Sequence, residues 1–187
     1  IHVNGSRGKS SVVRLIAAGL RAGGFRTLAK VTGTSPRVID LDGYDRIIHR
    51  LRSPSIGEQL RLLRNFSKQK PDYIVVECMA VMPEYQWVSE HKMLKSDIGV
   101  ITNVRMDHVD EMGYTMEEIT KSLSNTVPEN GKMITTKCPT SYLIEEKSNK
   151  SNSEYFEVSG DKVSQDMMEG FPYLEHNENV ALALEVC

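Results

Sequence analysis

The chain has 187 residues, 40% of them hydrophobic and 26% charged, enough to bury the core of one globular domain. Its 23 basic and 25 acidic side chains leave a formal charge of −2, which excludes a field strong enough to gather nucleic acid or an acidic membrane. Any anionic partner must be held locally. Cys78, Cys138 and Cys187 lie far apart, with the spacing of neither a zinc site nor a secreted disulfide framework, so a reducing compartment is the simpler reading. No apolar run reaches the roughly 18 residues of a membrane span, and there is no basic-then-apolar leader. The chain opens on Ile1, in a strand that looks cut, and closes in a helix without a stop signal. The expectation is a fragment of a longer protein, with a membrane anchor and a further domain outside it.

In chain order, residues 1–4 read as a strand that runs into the glycine loop Gly5-Ser6-Arg7-Gly8-Lys9-Ser10. A helix over residues 9–22 follows, with Val12, Val13, Ile16 and Leu20 on one face. Residues 26–31 read as a second strand. Residues 32–54 read mainly as loop, with a short hairpin around Asp42-Gly43, and a loop of that length is a place to look for function. Ser55 with Glu58 forms a capping box for an amphipathic helix through Leu60, Leu63 and Phe66 that fades at Lys70-Pro71. The near-continuous apolar run of residues 73–77 suits a strand covered on both faces and ends in a charge, Glu77. A similar strand over residues 98–102 leads into Asn103-Val104-Arg105-Met106-Asp107-His108, and Thr115 with Glu118 caps another helix. Residues 132–136 continue the alternation. Residues 145–170 predict little beyond a short strand near 155–158, and residues 177–187 read as the last helix, with Asn177 as its N-cap. Strands alternating with helices predict an α/β fold, a mostly parallel doubly wound sheet flanked by helices, with ligands at the carboxyl ends of the strands.

The glycine loop carries the parts of a phosphate site. Glycines let backbone N–H groups turn inward, the next helix presents its positive end, Lys9 reaches the phosphates and Ser10 can ligate magnesium. The match is to a shortened form of the phosphate-loop pattern, because Val3 stands where a first glycine would be. Glu77 either caps its strand, pairs with a lysine, or supplies the carboxylate oxygen that a magnesium ion needs. Beside a phosphate loop the metal reading gains. Asp107, His108 and Asp110 end another buried strand. On chemistry alone His108 reads first as a loop histidine and second as a metal or phosphate contact, since imidazole is an uncommon magnesium ligand. His2, His49 and His91 read as surface or packing residues. Thr32 to Arg37 offers hydroxyls and a guanidinium, or simply a turn.

Together the segments N-G-S-R-G-K-S at Asn4 to Ser10, T-S-P at Thr34 to Pro36, Glu77, N-V-R-M-D-H-V-D-E-M-G at Asn103 to Gly113 and H-N-E-N-V-A-L-A-L at His176 to Leu184 resemble the central ATPase domain of the Mur ligase superfamily. The resemblance spans nearly the whole chain, so residues 1–187 are expected to form one ATP-binding domain. Within the superfamily, K-V-T-G-T-S-P-R, I-G-E-Q and V-V-E-C-M-A-V-M-P-E-Y-Q resemble the ligase subunit of poly-γ-glutamate synthases.

That resemblance implies a P-loop-containing, Mur-ligase-like fold and an ATP-dependent ligase that activates a carboxylate as an acyl phosphate and adds glutamate through γ-amide bonds. A folylpolyglutamate-synthetase-like ligase, another Mur-type ligase, a kinase and an NTPase driving a membrane complex are the alternatives. It implies ATP with magnesium, or manganese in its place. Gly5, Ser6, Arg7, Gly8, Lys9, Ser10 and Ser11 would bind nucleotide, with Asn177 and Asn179 at the adenine, although their spacing is one residue shorter than the usual motif. Ser10, Ser35, Glu77 and His108 would hold metal, and Lys9, Glu77 and His108 would serve catalysis. Partners implied are glutamate, the growing polymer and small membrane subunits at the cytoplasmic face of the membrane, with room for a homo-oligomer. Arg37, Arg46, Arg50, Arg52 and Arg105 are candidates to meet a polyanion. Many superfamily members carry a carbamylated lysine fifteen residues after the motif histidine, where this chain has Leu123, and Lys121 is on another helix face.

Overall fold

The structure is a computed structural model, and it describes residues 1–33, 35–49 and 56–187, the side chains of Ile56 and Glu58 excepted. Thr34, Arg50, Arg52 and the capping pair Ser55–Glu58 therefore lie outside the described residues.

The first apolar run forms β1 (His2–Asn4), and the glycine loop delivers the chain into α1 (Lys9–Ala22). Val12, Val13, Ile16, Ala17 and Leu20 are buried, as the helical spacing requires. Each aliphatic side chain removed from water contributes about 1.5–3 kcal/mol. β2 (Thr27–Val31) is buried throughout. The hairpin anticipated near Asp42-Gly43 exists, as β3 (Arg37–Ile39) and β4 (Asp45–Ile47), with Gly43 at φ 88° in its turn. It pairs antiparallel with β2 and closes one edge of the sheet. Then come α2 (Ile56–Lys68), β5 (Tyr73–Glu77) and α3 (Pro83–Val88), which runs on as a π-helical segment, Ser89–Leu94. The remaining elements are β6 (Ile98–Ile101), α4 (Val109–Met112), α5 (Met116–Leu123), β7 (Lys132–Thr136), α6 (Ser141–Lys150), β8 (Glu154–Val158), α7 (Gln165–Glu169) and α8 (Asn177–Val186).

Among the described residues the strands form one sheet in the order β4-β3-β2-β5-β1-β6-β7-β8, parallel outside the β3–β4 hairpin. β1 lies between β5 and β6, so the chain departs to one side and later returns to the other. Loops diverge at that point, and the crevice between them is where α/β sheets bind ligands. Strand residues alternate between two cores. Val3, Val75, Val100 and Ile134 face α1 and α8, whereas Ile101 and Met133 face Ile119, Leu123 and Ile144 of α5 and α6. Leu123 is fully buried. Among the described residues no helix is long and apolar enough to cross a membrane.

Beneath β1 and β2 the second face is polar. His2 Nδ1 lies 2.8 Å from Glu90 Oε2, Asn4 Nδ2 donates to Gln86 Oε1 at 2.8 Å, and Lys30 Nζ donates to Gln59 Oε1. All six side chains are buried. Fixed partners of this kind allow one seating of α2 and α3 on the sheet, where apolar contacts would tolerate several.

Two sequence expectations need correction. Residues 145–170 are mostly structured: α6 occupies 141–150, and a 3₁₀ turn (Gly160–Lys162) and α7 follow β8. Asn177 is the first helical residue of α8 and not its cap. His176 takes the cap position, with no side-chain hydrogen bond, while Asn177 Nδ2 donates to Gly160 O at 3.5 Å.

Candidate nucleotide and metal site

The phosphate loop connects the central strand to α1, and two of its glycines have conformations closed to other residues. Gly5 has φ 132°, and a Cβ there would stand 2.1 Å from Thr102 Oγ1. Gly8 has φ 81° and serves as N-cap of α1, with Asn179 Oδ1 only 2.8 Å from where a Cβ would be.

The end of β6 grips this loop. Asn103 Oδ1 accepts from Arg7 N at 3.1 Å and Asn103 Nδ2 donates to Arg7 O at 2.9 Å. Thr102 Oγ1 donates to the same carbonyl at 2.6 Å, and Ser6 N donates to Asn103 O at 3.0 Å. Ser6 Oγ accepts from Arg105 N and donates to Arg105 O, at 2.9 and 3.0 Å. The Arg7 guanidinium pairs with Asp107 at 3.0 Å. The loop's backbone is thereby set before any ligand arrives. In the sequence Asn103 and Thr102 read only as parts of a strand end. Their role depends on β6 lying beside β1, which no local spacing reveals.

Glu77 is 3% exposed at the end of β5, and its Oε2 accepts from Ser10 Oγ at 2.7 Å and Thr32 N at 2.8 Å. The charge anticipated at a buried strand end thus meets the serine of the loop. Lys9 Nζ donates to Gly5 O at 2.6 Å and Ser6 O at 3.2 Å. Burial lowers the Lys9 pKa, opposed by the Glu77 and Asp107 carboxylates. His108, exposed and left-handed at φ 49°, lines with Lys9, Thr32 and Met79 a cleft of about 230 Å3. Ser35 is exposed, two residues beyond Gly33, which lies against Ser10 Oγ. Among the described residues no three His, Cys, Asp or Glu side chains converge. The Ser10 hydroxyl and Glu77 carboxylate, already in contact, are hard oxygen donors of the type magnesium or manganese takes, with ligand phosphates free to supply the rest.

A second cleft of about 440 Å3 lies across Gly8, lined by Arg7, Ser11, Asn103, Arg105, Glu175 and Asn179. Asn179 is 4% exposed and packs on the loop, whereas Asn177 faces the Gly160 turn. Arg37 and Arg46 are engaged by Asp45 and Asp40 within the hairpin. Of the other histidines, His2 is buried against Glu90, His91 stacks on Trp87 and His49 is exposed. Gln86 went unremarked in the sequence. Its Nε2 donates to Val81 O at 2.6 Å and Ser122 Oγ at 3.1 Å, tying the cleft wall to α5.

Residues 3–184 match the Mur ligase middle domain. The capsule biosynthesis protein CapB of Bacillus anthracis is 34% identical over 188 aligned residues, covering 100% of this chain and 40% of that protein. The PGA synthase CapB of Bacillus subtilis strain 168 is 35% identical, covering 100% of this chain and 48% of that protein. The chain thus spans under half the length of these relatives. A bifunctional folylpolyglutamate synthase/dihydrofolate synthase from Yersinia pestis, solved with AMPPNP and a manganese ion, superposes with a TM-score of 0.71 at 18% identity, over 99% of this chain and 52% of that one.

Proposed function

The chain belongs to the Mur ligase family, as its middle domain, and on that premise we propose that it is the ATP-binding domain of a ligase that builds poly-γ-glutamate. The observation that carries the chemistry is the contact of Ser10 and Glu77 at the mouth of a phosphate loop beside Lys9. The polymer follows from the two capsule and PGA synthase relatives. A terminal carboxylate attacks the γ-phosphorus of ATP, ADP leaves, and the amine of the next glutamate displaces phosphate from the acyl phosphate to form the amide.

Lys9 and the loop N–H groups that Asn103 does not take up would neutralise and orient the phosphates. Gly5, Ser6, Arg7, Gly8, Ser10 and Ser11 cradle the triphosphate, and Asn179 borders the base, while Asn177 is turned to Gly160. Ser10, Ser35 and Glu77 would hold magnesium, with His108 toward a second ion. The metal supplies charge neutralisation at the reacting phosphate. None of this requires a covalent nucleophile on the protein. The proposed setting is the cytoplasmic face of the membrane, with small membrane subunits of a polymer synthase and room for self-association.

The test uses the full chain with ATP, magnesium, glutamate and polymer, following ADP release and trapping acyl phosphate with hydroxylamine. ADP release that requires the acceptor, with hydroxamate formed, is the expected result. Glu77→Gln is expected to lose turnover by about 100-fold or more while still binding nucleotide. Equal ADP release with and without acceptor would leave an NTPase and sink the ligase.

A further inference from the structure

We infer that Glu175 sets the nucleotide-base preference of this site by fixing which way the Asn179 amide points. The inference rests on the nucleotide reading above but not on amide synthesis. Lys9, Ser10 and Glu77 gather at the first cleft, where the reacting phosphate belongs. The nucleoside then falls to the larger cleft on the other flank of Gly8, whose lining includes Glu175 and Asn179.

Asn179 is a poor reader of bases when free to turn, because its two amide ends offer opposite hydrogen-bonding character. Here it is not free. Its Nδ2 donates to Glu175 Oε1 at 2.7 Å, and the same oxygen accepts from His176 N at 2.9 Å. Glu175 and Asn179 are 7% and 4% exposed, so the pair sits away from competing water. A carboxylate offers acceptors only, so the amide must turn its NH2 toward it. Oδ1 is thereby left on the side of Gly8, and among the described residues no group donates to it. An acceptor at that position suits a purine bearing a 6-amino group and is mismatched to one bearing a 6-oxo group. Glu175 is thus a positioning residue that acts through Asn179.

Glu175→Ala removes the constraint, whereas Glu175→Gln keeps an Oε1 that can accept from both Asn179 Nδ2 and His176 N. In that alanine variant the amide can turn and present its NH2 to a 6-oxo purine. The probes are ATP and inosine triphosphate, which differ at the 6-position, competed against a fluorescent ATP analogue on the full chain. Wild type is expected to prefer ATP by about tenfold or more, and Glu175→Ala to reduce that ratio at least about fivefold with ATP still bound. Glu175→Gln, which keeps the acceptor, is expected to retain the wild-type ratio, and Glu175→Met, which offers no oxygen, serves if Glu175→Ala does not fold.

An unchanged ratio in Glu175→Ala or Glu175→Met with ATP still bound, or equal weakening of both nucleotides, overturns the inference, as does a wild type that does not discriminate. Loss of amide synthesis with the binding preference intact would count against the proposed ligase and leave the role of Glu175 standing.

Discussion

At the scale of single residues, Lys9 shows how the loop waits for its ligand. Its ammonium bonds to the carbonyls of Gly5 and Ser6, bonds worth only about 1 kcal/mol each in net terms, so a phosphate bearing full charges can draw it away. Lys9→Met is therefore expected to leave folding within about 1 kcal/mol of wild type while cutting kcat for ADP release by about 100-fold or more. Urea denaturation and steady-state kinetics on the same preparation check the two halves. Lys9 and Ser10 were legible because their motif is contiguous, and Glu77 because a charge ended an apolar run. Asn103, Gln86 and Glu175 were not recognised for their roles, because each acts on a partner brought near by the fold or by a helix start the sequence misplaced. Asn103, for example, grips Arg7 from 96 residues away.

At the scale of elements, local codes were read well and edge elements poorly. The capping box of α5 is present in full: Thr115 Oγ1 accepts from Glu118 N, and Glu118 Oε2 accepts from Thr115 N and Tyr114 N. Thr115→Ala is expected to cost about 1 kcal/mol, read as a lowered urea midpoint with unchanged slope. By contrast α6 was missed because it covers β7 and β8 at the sheet's edge and needs only a narrow buried stripe, Ser141, Ile144 and Ser148. Its remaining composition is that of a loop. The π-helical segment after α3 was illegible for another reason. Lys95 N bonds to Glu90 O at 2.7 Å, while the Glu90 side chain accepts from Ser96 N and Ser96 Oγ, and Glu90 is held in turn by His2 on a distant strand.

At the scale of the whole molecule, that His2–Glu90 pair links stability to pH. Burial disfavours the charged His2 ring, but Cys78 and the Glu90 carboxylate outweigh it and raise its pKa from 6.5 to about 9. The folded state therefore binds a proton that the unfolded chain releases near pH 6.5. The pair's stabilisation is complete below that pH and is lost as pH rises through about 9. Urea midpoints of the full chain are expected to fall between pH 6.5 and 9, and to fall less in Glu90→Gln. An equal decline in both would remove His2 as the cause.

The grip of β6 on the phosphate loop has a consequence for genetics. Substitutions at Thr102, Asn103 or Ser6 would be scored in a screen as nucleotide-binding defects although they act by releasing the loop's backbone. Inherited variation in these residues would tune ATP affinity indirectly, and suppressors would be found on whichever of the two segments, loop or strand end, was left unaltered.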